Sequence, residues 1–259
     1  MKKILFIIGI ILSIQSTSSS GFFEATNQNI KSLKKNKATY IITDIETYEK
    51  TEIQELQKTN KKIIARLNLL KANTYKNYWN PEWDYYKTAP DCFVLDYDFD
   101  KGEFTYKKLC PYGIEPFYND GEYIYVKYWY SFWYRDVILP QIQEINKKGF
   151  DGVLFEDMDD FDIIKGGNHN RLFELFKKTT RQLNTKKNIL DSNGKFIRLL
   201  SKKQMQRFYM FTNGLYLDDF FEFPKNTIVK NYLLIKNLHK FGIDIFSNNK
   251  LPIKYIKQK

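Results

Sequence analysis

The segment GFDGVLFEDMDDFDI, residues 149–163, passes within a few positions from an apolar run to a dense group of acids. Glu156, Asp157, Asp159, Asp160 and Asp162 follow directly on Gly152-Val153-Leu154-Phe155, which reads as a buried strand. Other apolar runs also close on acids: one on Asp44 and Glu46, one on Asp191 with the amide Asn193 after it, one on Asp218 and Asp219. Acids gathered at strand ends, on a chain of formal net charge +11, form the arrangement that two-carboxylate chemistry requires. Hydrolysis of a glycosidic bond needs one carboxylic acid to protonate the leaving oxygen. It needs a second carboxylate to attack the anomeric carbon or to activate water. Crowding of like charges raises one pKa, so that one member stays protonated near neutral pH. Glu156 and Asp218 are the catalytic candidates, because each is reached as the chain leaves a buried run. Asp44, Asp159 and Asn193 are candidates to bind or position sugar, and Trp129 is the best candidate for a ring platform. Asp151 stands at the start of its strand, where a structural hydrogen bond is expected, and Asp160 and Asp162 are expected to face solvent.

The elements that must position these groups alternate in type. Eight β-rich runs are expected: 22–26, 39–46, 62–70, 123–129, 150–156, 188–193, 214–221 and 242–247. Amphipathic stretches separate most of them. KTEIQELQKTNK sets Thr51 and Gln54 at capping-box spacing, and SKKQMQRFYMF does the same with Ser201 and Gln204. RDVILPQIQEINKKG carries Val137, Ile138, Ile142 and Ile145 on one face, ends at Gly149, and holds Pro140 as a kink or first-turn residue. Continuous apolar strands alternating with helices predict a parallel sheet covered by helices, and eight of them predict an α/β fold of the (β/α)8 TIM barrel type. In such a barrel the chemistry sits where the strands finish. A long insertion after strand 3, residues 80–122, is rich in Tyr, Trp, Asp and Pro, and long loops on that face shape the site. No glycine-rich phosphate loop follows any strand, which argues against a nucleotide fold.

Bulk properties bound the rest. Residues 1–20 read as a signal peptide: Lys2 and Lys3, then ILFIIGIILSI, then small residues before Gly21. That apolar run is too short to span a bilayer as a helix, and no other transmembrane span is expected. Residues 21–259 are then a single barrel domain, secreted, periplasmic or at the cell surface. Without Lys2 and Lys3 the formal charge is +9, but the lysines are scattered, so no nucleic acid partner is expected. Cys92 and Cys110 are the only cysteines, and in an exported chain they could form a disulfide. Two isolated cysteines and two histidines argue against a zinc site; no metal and no cofactor are expected. Aromatics make up 17% of the chain, and KYWYSFWYRD (127–136) concentrates several after the fourth run, most of them expected in the core.

The stretch YWYSFWYRDVILPQIQEINKKGFDGVLFEDMDDF, residues 128–161, resembles the core signature of glycoside hydrolase family 114, the endo-α-1,4-polygalactosaminidase-like proteins. The likeness extends to YIITDIE, KKIIARLNLLKANTYKNYW and NGLYLDDFF. It implies an exported barrel that cleaves a polysaccharide from within, the family's name-giving substrate being an amino-sugar polymer. By position it implies Glu156 as nucleophile or charge stabiliser, Asp218 as acid/base, and Asp159 as a neighbouring site residue. The chain carries Glu156 and Asp218 where the family typically has Asp and Glu, and Leu70-Lys71-Ala72-Asn73 where it has Gly-Glu-Ala-Glu. The alternative is a non-catalytic carbohydrate-binding protein on a degenerate hydrolase barrel.

Overall fold

The computed structural model describes residues 21–25, 28–73, 75–79, 93–98, 103–108, 114–119, 123–163, 166–217, 234, 237, 238 and 240–247. Residues 1–20, both cysteines and Asp218 lie outside the described residues. The described strands are β1 (Phe22–Glu24), β2 (Tyr40–Thr43), β3 (Lys62–Asn68), β4 (Lys71–Asn73), β5 (Phe93–Asp98) and β6 (Glu103–Lys108). They continue with β7 (Ile114–Asn119), β8 (Tyr123–Val126), β9 (Gly152–Glu156), β10 (Lys187–Asp191), β11 (Gly214–Leu217) and β12 (Asp244–Ser247). The chain divides into two compact units. One comprises Met1–Leu67, Glu144–Asp159 and Asn184–Lys259; the other comprises Asn68–Gln143 and Asp160–Leu183.

The first unit is built on one sheet in the order β1-β2-β3-β9-β10-β11-β12. The pairs β1–β2, β2–β3, β9–β10, β10–β11 and β11–β12 are all parallel. With helices in the connections this is a partial, barrel-like α/β fold. Because strand side chains alternate with period two, the register stacks the inward residues in layers. Ile42, Ile64, Leu154, Ile189 and Tyr216 form one buried layer, with Tyr40 and Phe246 packed against it. Two residues earlier on their strands stand Gly152 and Gly214, and here bulk is excluded. A Cβ on Gly152 would lie 2.6 Å from the Lys187 carbonyl oxygen, and one on Gly214 would lie 2.7 Å from the Phe246 ring. Two residues later than the apolar layer stand Asp44, Arg66, Glu156 and Asp191. The same alternation that buries the aliphatic layer therefore delivers charged groups to the strand ends.

The opposite end is tied by structural polar contacts. Asp151 Oδ2 accepts from the Ile63 N–H at 3.0 Å and from Gln57 Nε2 at 2.9 Å, and Lys62 Nζ lies 3.3 Å from Oδ1. Lys187 Nζ donates to Tyr40 Oη at 2.8 Å and to Asp244 Oδ2 at 2.9 Å. The helix Lys50–Gln57 is capped two residues earlier than Thr51 and Gln54 suggest. Glu49 and Glu52 form the reciprocal box, since a carboxylate accepts from the end N–H groups as well as a hydroxyl does. Helix Lys202–Phe211 carries its box on Ser201 and Gln204 as expected.

The second unit holds an antiparallel sheet, β4-β8-β7, and an antiparallel pair, β5–β6. Here the run 123–129 departs from expectation. It is not a strand of the parallel sheet, in which β3 neighbours β9 directly; β8 pairs with β4 and β7 instead. β4, before the insertion, and β7, within it, satisfy its backbone groups, and apolarity alone does not reveal which neighbour will do so. Six residues, Trp133–Ile138, form a π-helical segment running into the α-helix Leu139–Lys148. Pro140 sits in the first turn of that helix, and the widened segment before it accommodates the missing N–H. Trp133 is fully buried and donates from Nε1 to the Leu69 carbonyl at 3.0 Å. Among the described residues no helix is long and apolar enough to cross a membrane.

Gly152→Ala should lower stability by about 1–3 kcal/mol, because the clash is with a backbone oxygen of the neighbouring strand. Thermal denaturation should register a Tm several degrees lower. An unchanged Tm would contradict the layered packing.

Candidate active site

Glu156 is the last residue of β9, two positions after buried Leu154, and its side chain is 21% exposed. Arg66, two positions after Ile64 on β3, places Nη1 3.4 Å from Glu156 Oε1 and Nη2 2.7 Å from Glu24 Oε2. Burial pushes the Glu156 carboxyl up to about 7. Arg66 opposes this, while Asp157, Asp44 and Glu24 reinforce it. Burial disfavours the charge on Arg66, but Glu156 and Glu24 outweigh that cost and its pKa is raised. The first unit thus gathers three acids, Glu156, Glu24 and Asp44, around one guanidinium at the strand ends, with Asp157 acting on Glu156. Sequence reasoning found Glu156 and Asp44 but passed over Arg66 and Glu24. The period-two spacing Lys62-Ile64-Arg66 was the signal that could have found the arginine.

The chain turns sharply after Glu156. Asp157 adopts φ 55°, in the left-handed region that Asp tolerates better than most side chains. The short turn Met158–Asp160 follows, with Met158 buried as its anchor. Asp159 Oδ1 accepts from Ser192 Oγ and from the Phe196 N–H, both at 2.7 Å, tying this turn to the loop after β10. Asp159 Oδ2 and Asn193 Oδ1 are buried acceptors with no hydrogen-bond partner among the described residues. Asp44 follows β2 and contributes to the field at Glu156 and Arg66.

Two of the expectations fall in the second unit. Asp160 is not a solvated loop acid: its Oδ2 accepts from Tyr125 Oη at 2.6 Å and lies 3.2 Å from Lys71 Nζ. Lys71 also sits 4.8 Å above the Tyr125 ring. Lys71 and Tyr125 are both buried, so Asp160 supplies the charge and the acceptor that they need. Trp129 is half-buried and lines a groove with Tyr130, Tyr134 and residues of helix His169–Thr180. The neighbouring Tyr128, Phe132, Trp133 and Tyr134 are buried, as the core reading of the aromatics expects. Among the described residues no three His, Cys, Asp or Glu side chains converge to hold a metal.

The Glu156 titration has a stability consequence of definite sign. Below its ordinary value of 4.5, folded and unfolded chains both hold the proton. From there to about 7 the folded chain keeps a proton that the unfolded chain has released, so stability falls as pH rises through this window. Glu156→Gln removes that loss. Urea unfolding should show the variant gaining on the native protein by a few kcal/mol between those limits and then levelling. A pH-independent difference would refute the raised carboxyl.

No protein-family model matches the chain. The uncharacterized protein MJ1477 of Methanocaldococcus jannaschii is 26% identical over 147 residues, covering 54% of this chain and 36% of that protein. The match therefore spans little more than a third of that relative's length. Among solved structures, the glycoside hydrolase domain of PelA from Pseudomonas aeruginosa aligns with a TM-score of 0.58 at 12% identity. That alignment covers 87% of this chain and 81% of the PelA domain. Aspergillus fumigatus Ega3, in complex with galactosamine, aligns with a TM-score of 0.55 at 13% identity, covering 90% of this chain and 78% of Ega3. At these identities the likeness is one of fold: the chain shares the architecture of glycoside hydrolase domains.

Proposed function

We propose that the chain is an exported glycoside hydrolase that cuts within a polysaccharide, using Glu156 and Asp218 at the strand ends of a complete (β/α)8 barrel. The observation that carries this reading is the environment of Glu156. A carboxyl at the end of a buried parallel strand, pushed up to about 7 beside Arg66, has the perturbed environment that clusters at functional sites. In the proposed reaction Glu156, charged and oriented by Arg66, attacks or stabilises the anomeric carbon. Asp218, two residues after Tyr216 in sequence, protonates the leaving oxygen. Asp159, bonded to Ser192 and Phe196, and Asn193 beside it position the loops that frame the sugar, and Asp44 adds to the negative field.

The local charge also favours one class of substrate. Glu24, Asp44, Glu156 and Asp157 outnumber Arg66, so the site is acidic on a basic chain. An acidic site attracts a protonated amino sugar more strongly than a neutral one. The galactosamine bound in the Ega3 structure makes an amino-sugar polymer the first substrate to test.

Glu156→Gln should reduce release of reducing ends from a galactosamine-containing polymer by about a thousandfold or more, while the protein still melts cooperatively. Full activity in that variant would end the assignment. Binding of the polymer by the native protein without any cleavage would favour the carbohydrate-binding alternative. With Glu156 acting as the carboxylate, kcat/KM should rise with pH to a plateau beyond about 7. A fall through that pH would exchange the roles of Glu156 and Asp218.

A further inference from the structure

The second unit carries a groove of about 970 Å³ between the segment 128–134 and the helix His169–Thr180. Its size lies at the upper end of the usual range for ligand sites, about 300–1,000 Å³. Arg171, Lys177, Lys178 and Arg181 line it against a single acid, Glu174, which is ion-paired with Lys177. The sign of its charge is opposite to that around Glu156, so it suits a different class of ligand.

Two of these cations are held on aromatic rings. The Arg171 guanidinium lies 4.7 Å from the Trp129 ring centre, and Lys178 Nζ lies 3.5 Å from that of Tyr134. Arg171 is further fixed by donating to the Gly166 carbonyl, and neither cation is ion-paired with a described acid. Gly166 has φ 91°, and a Cβ there would sit 3.5 Å from Trp129, so the backbone itself closes on the ring. A planar guanidinium pinned against an indole presents its outer N–H edge in one orientation, which suits bidentate pairing with a carboxylate. Ring faces already occupied by cations are poor platforms for stacking nucleobases, which need open faces. Serine, asparagine and glutamine side chains at the groove, Ser131, Asn170 and Gln182, supply partners for hydroxyls.

We propose that the groove lined by Trp129, Tyr134, Arg171, Lys178 and Arg181 is a second, non-catalytic glycan site that holds a carboxylate-bearing polysaccharide and so anchors the protein to an acidic polymer. This goes beyond the hydrolase reading and does not depend on it.

The full chain, titrated by calorimetry with polygalacturonate oligomers, should bind with an affinity that falls steeply with salt, and neutral dextran oligomers should not bind. Arg171→Ala and Lys178→Ala, both at exposed positions, should each weaken binding about tenfold. Arg171→Lys should recover only part of that loss, because a point charge cannot replace the fork. Glu156→Gln should bind as the native protein does, which separates this site from the catalytic one. Unchanged binding in the Arg171 and Lys178 variants would overturn the proposal. So would equal or tighter binding of single-stranded DNA, or binding lost in Glu156→Gln.

Discussion

Glu156 and Arg66 set the constraint to which the rest of the first unit answers. A carboxylate and a guanidinium placed above an aliphatic layer lose much of their hydration, and each is tolerated because the other is close. Their positions are not adjustable. Glu156 lies two residues past Leu154 and Arg66 two past Ile64, and Leu154 and Ile64 belong to the same packed layer. Any slip of register by one residue would bury the charges on the wrong face and expose the aliphatics. The glycines two residues before that layer serve the same geometry, since Gly152 and Gly214 let neighbouring strands and side chains close tightly below it.

The pair is also unequal, which is why it bears on chemistry. Arg66 answers to two acids, Glu24 at 2.7 Å and Glu156 at 3.4 Å, so Glu156 receives only part of its charge. Burial and three neighbouring acids then outweigh that share and hold the carboxyl near neutrality. A fully matched salt bridge would have locked Glu156 in the ionised form, useful for packing and little else. The contrast is Asp151, at the opposite end of the same strand. It accepts from a backbone N–H and a glutamine and lies near Lys62, an arrangement that fixes strands and leaves nothing for a ligand.

The two units differ in electrostatic sign where they could meet ligands. The strand ends of the first are acidic on a chain whose formal charge is +11. The groove of the second concentrates cations and steadies two of them on rings. An acidic end attracts cationic groups and a basic groove attracts anionic ones, so the two suit ligands of opposite charge.

Much of this was legible in order and composition. Continuous apolar runs ending in acids point to Glu156 as a strand-end residue, and seven of the eight expected strands are in the parallel sheet. Ser201 and Gln204 announced their helix start, because capping is local and needs only neighbours in the chain. The run 123–129 was misplaced because strand pairing is decided between distant segments, and β4 and β7 claim β8 there. Asp160 looked solvated because nothing local reveals Lys71 and Tyr125, which lie far from it in sequence. The position of Arg66 is legible from its period-two spacing after Ile64, but its pairing with Glu24 and Glu156 is not, for the same reason. The sequence alone determined which residues could be charged at the ends of strands, since periodicity and burial are properties of single segments. Only the tertiary structure decided which of those charges face each other, because Coulomb and desolvation energies depend on distances that the linear order does not contain.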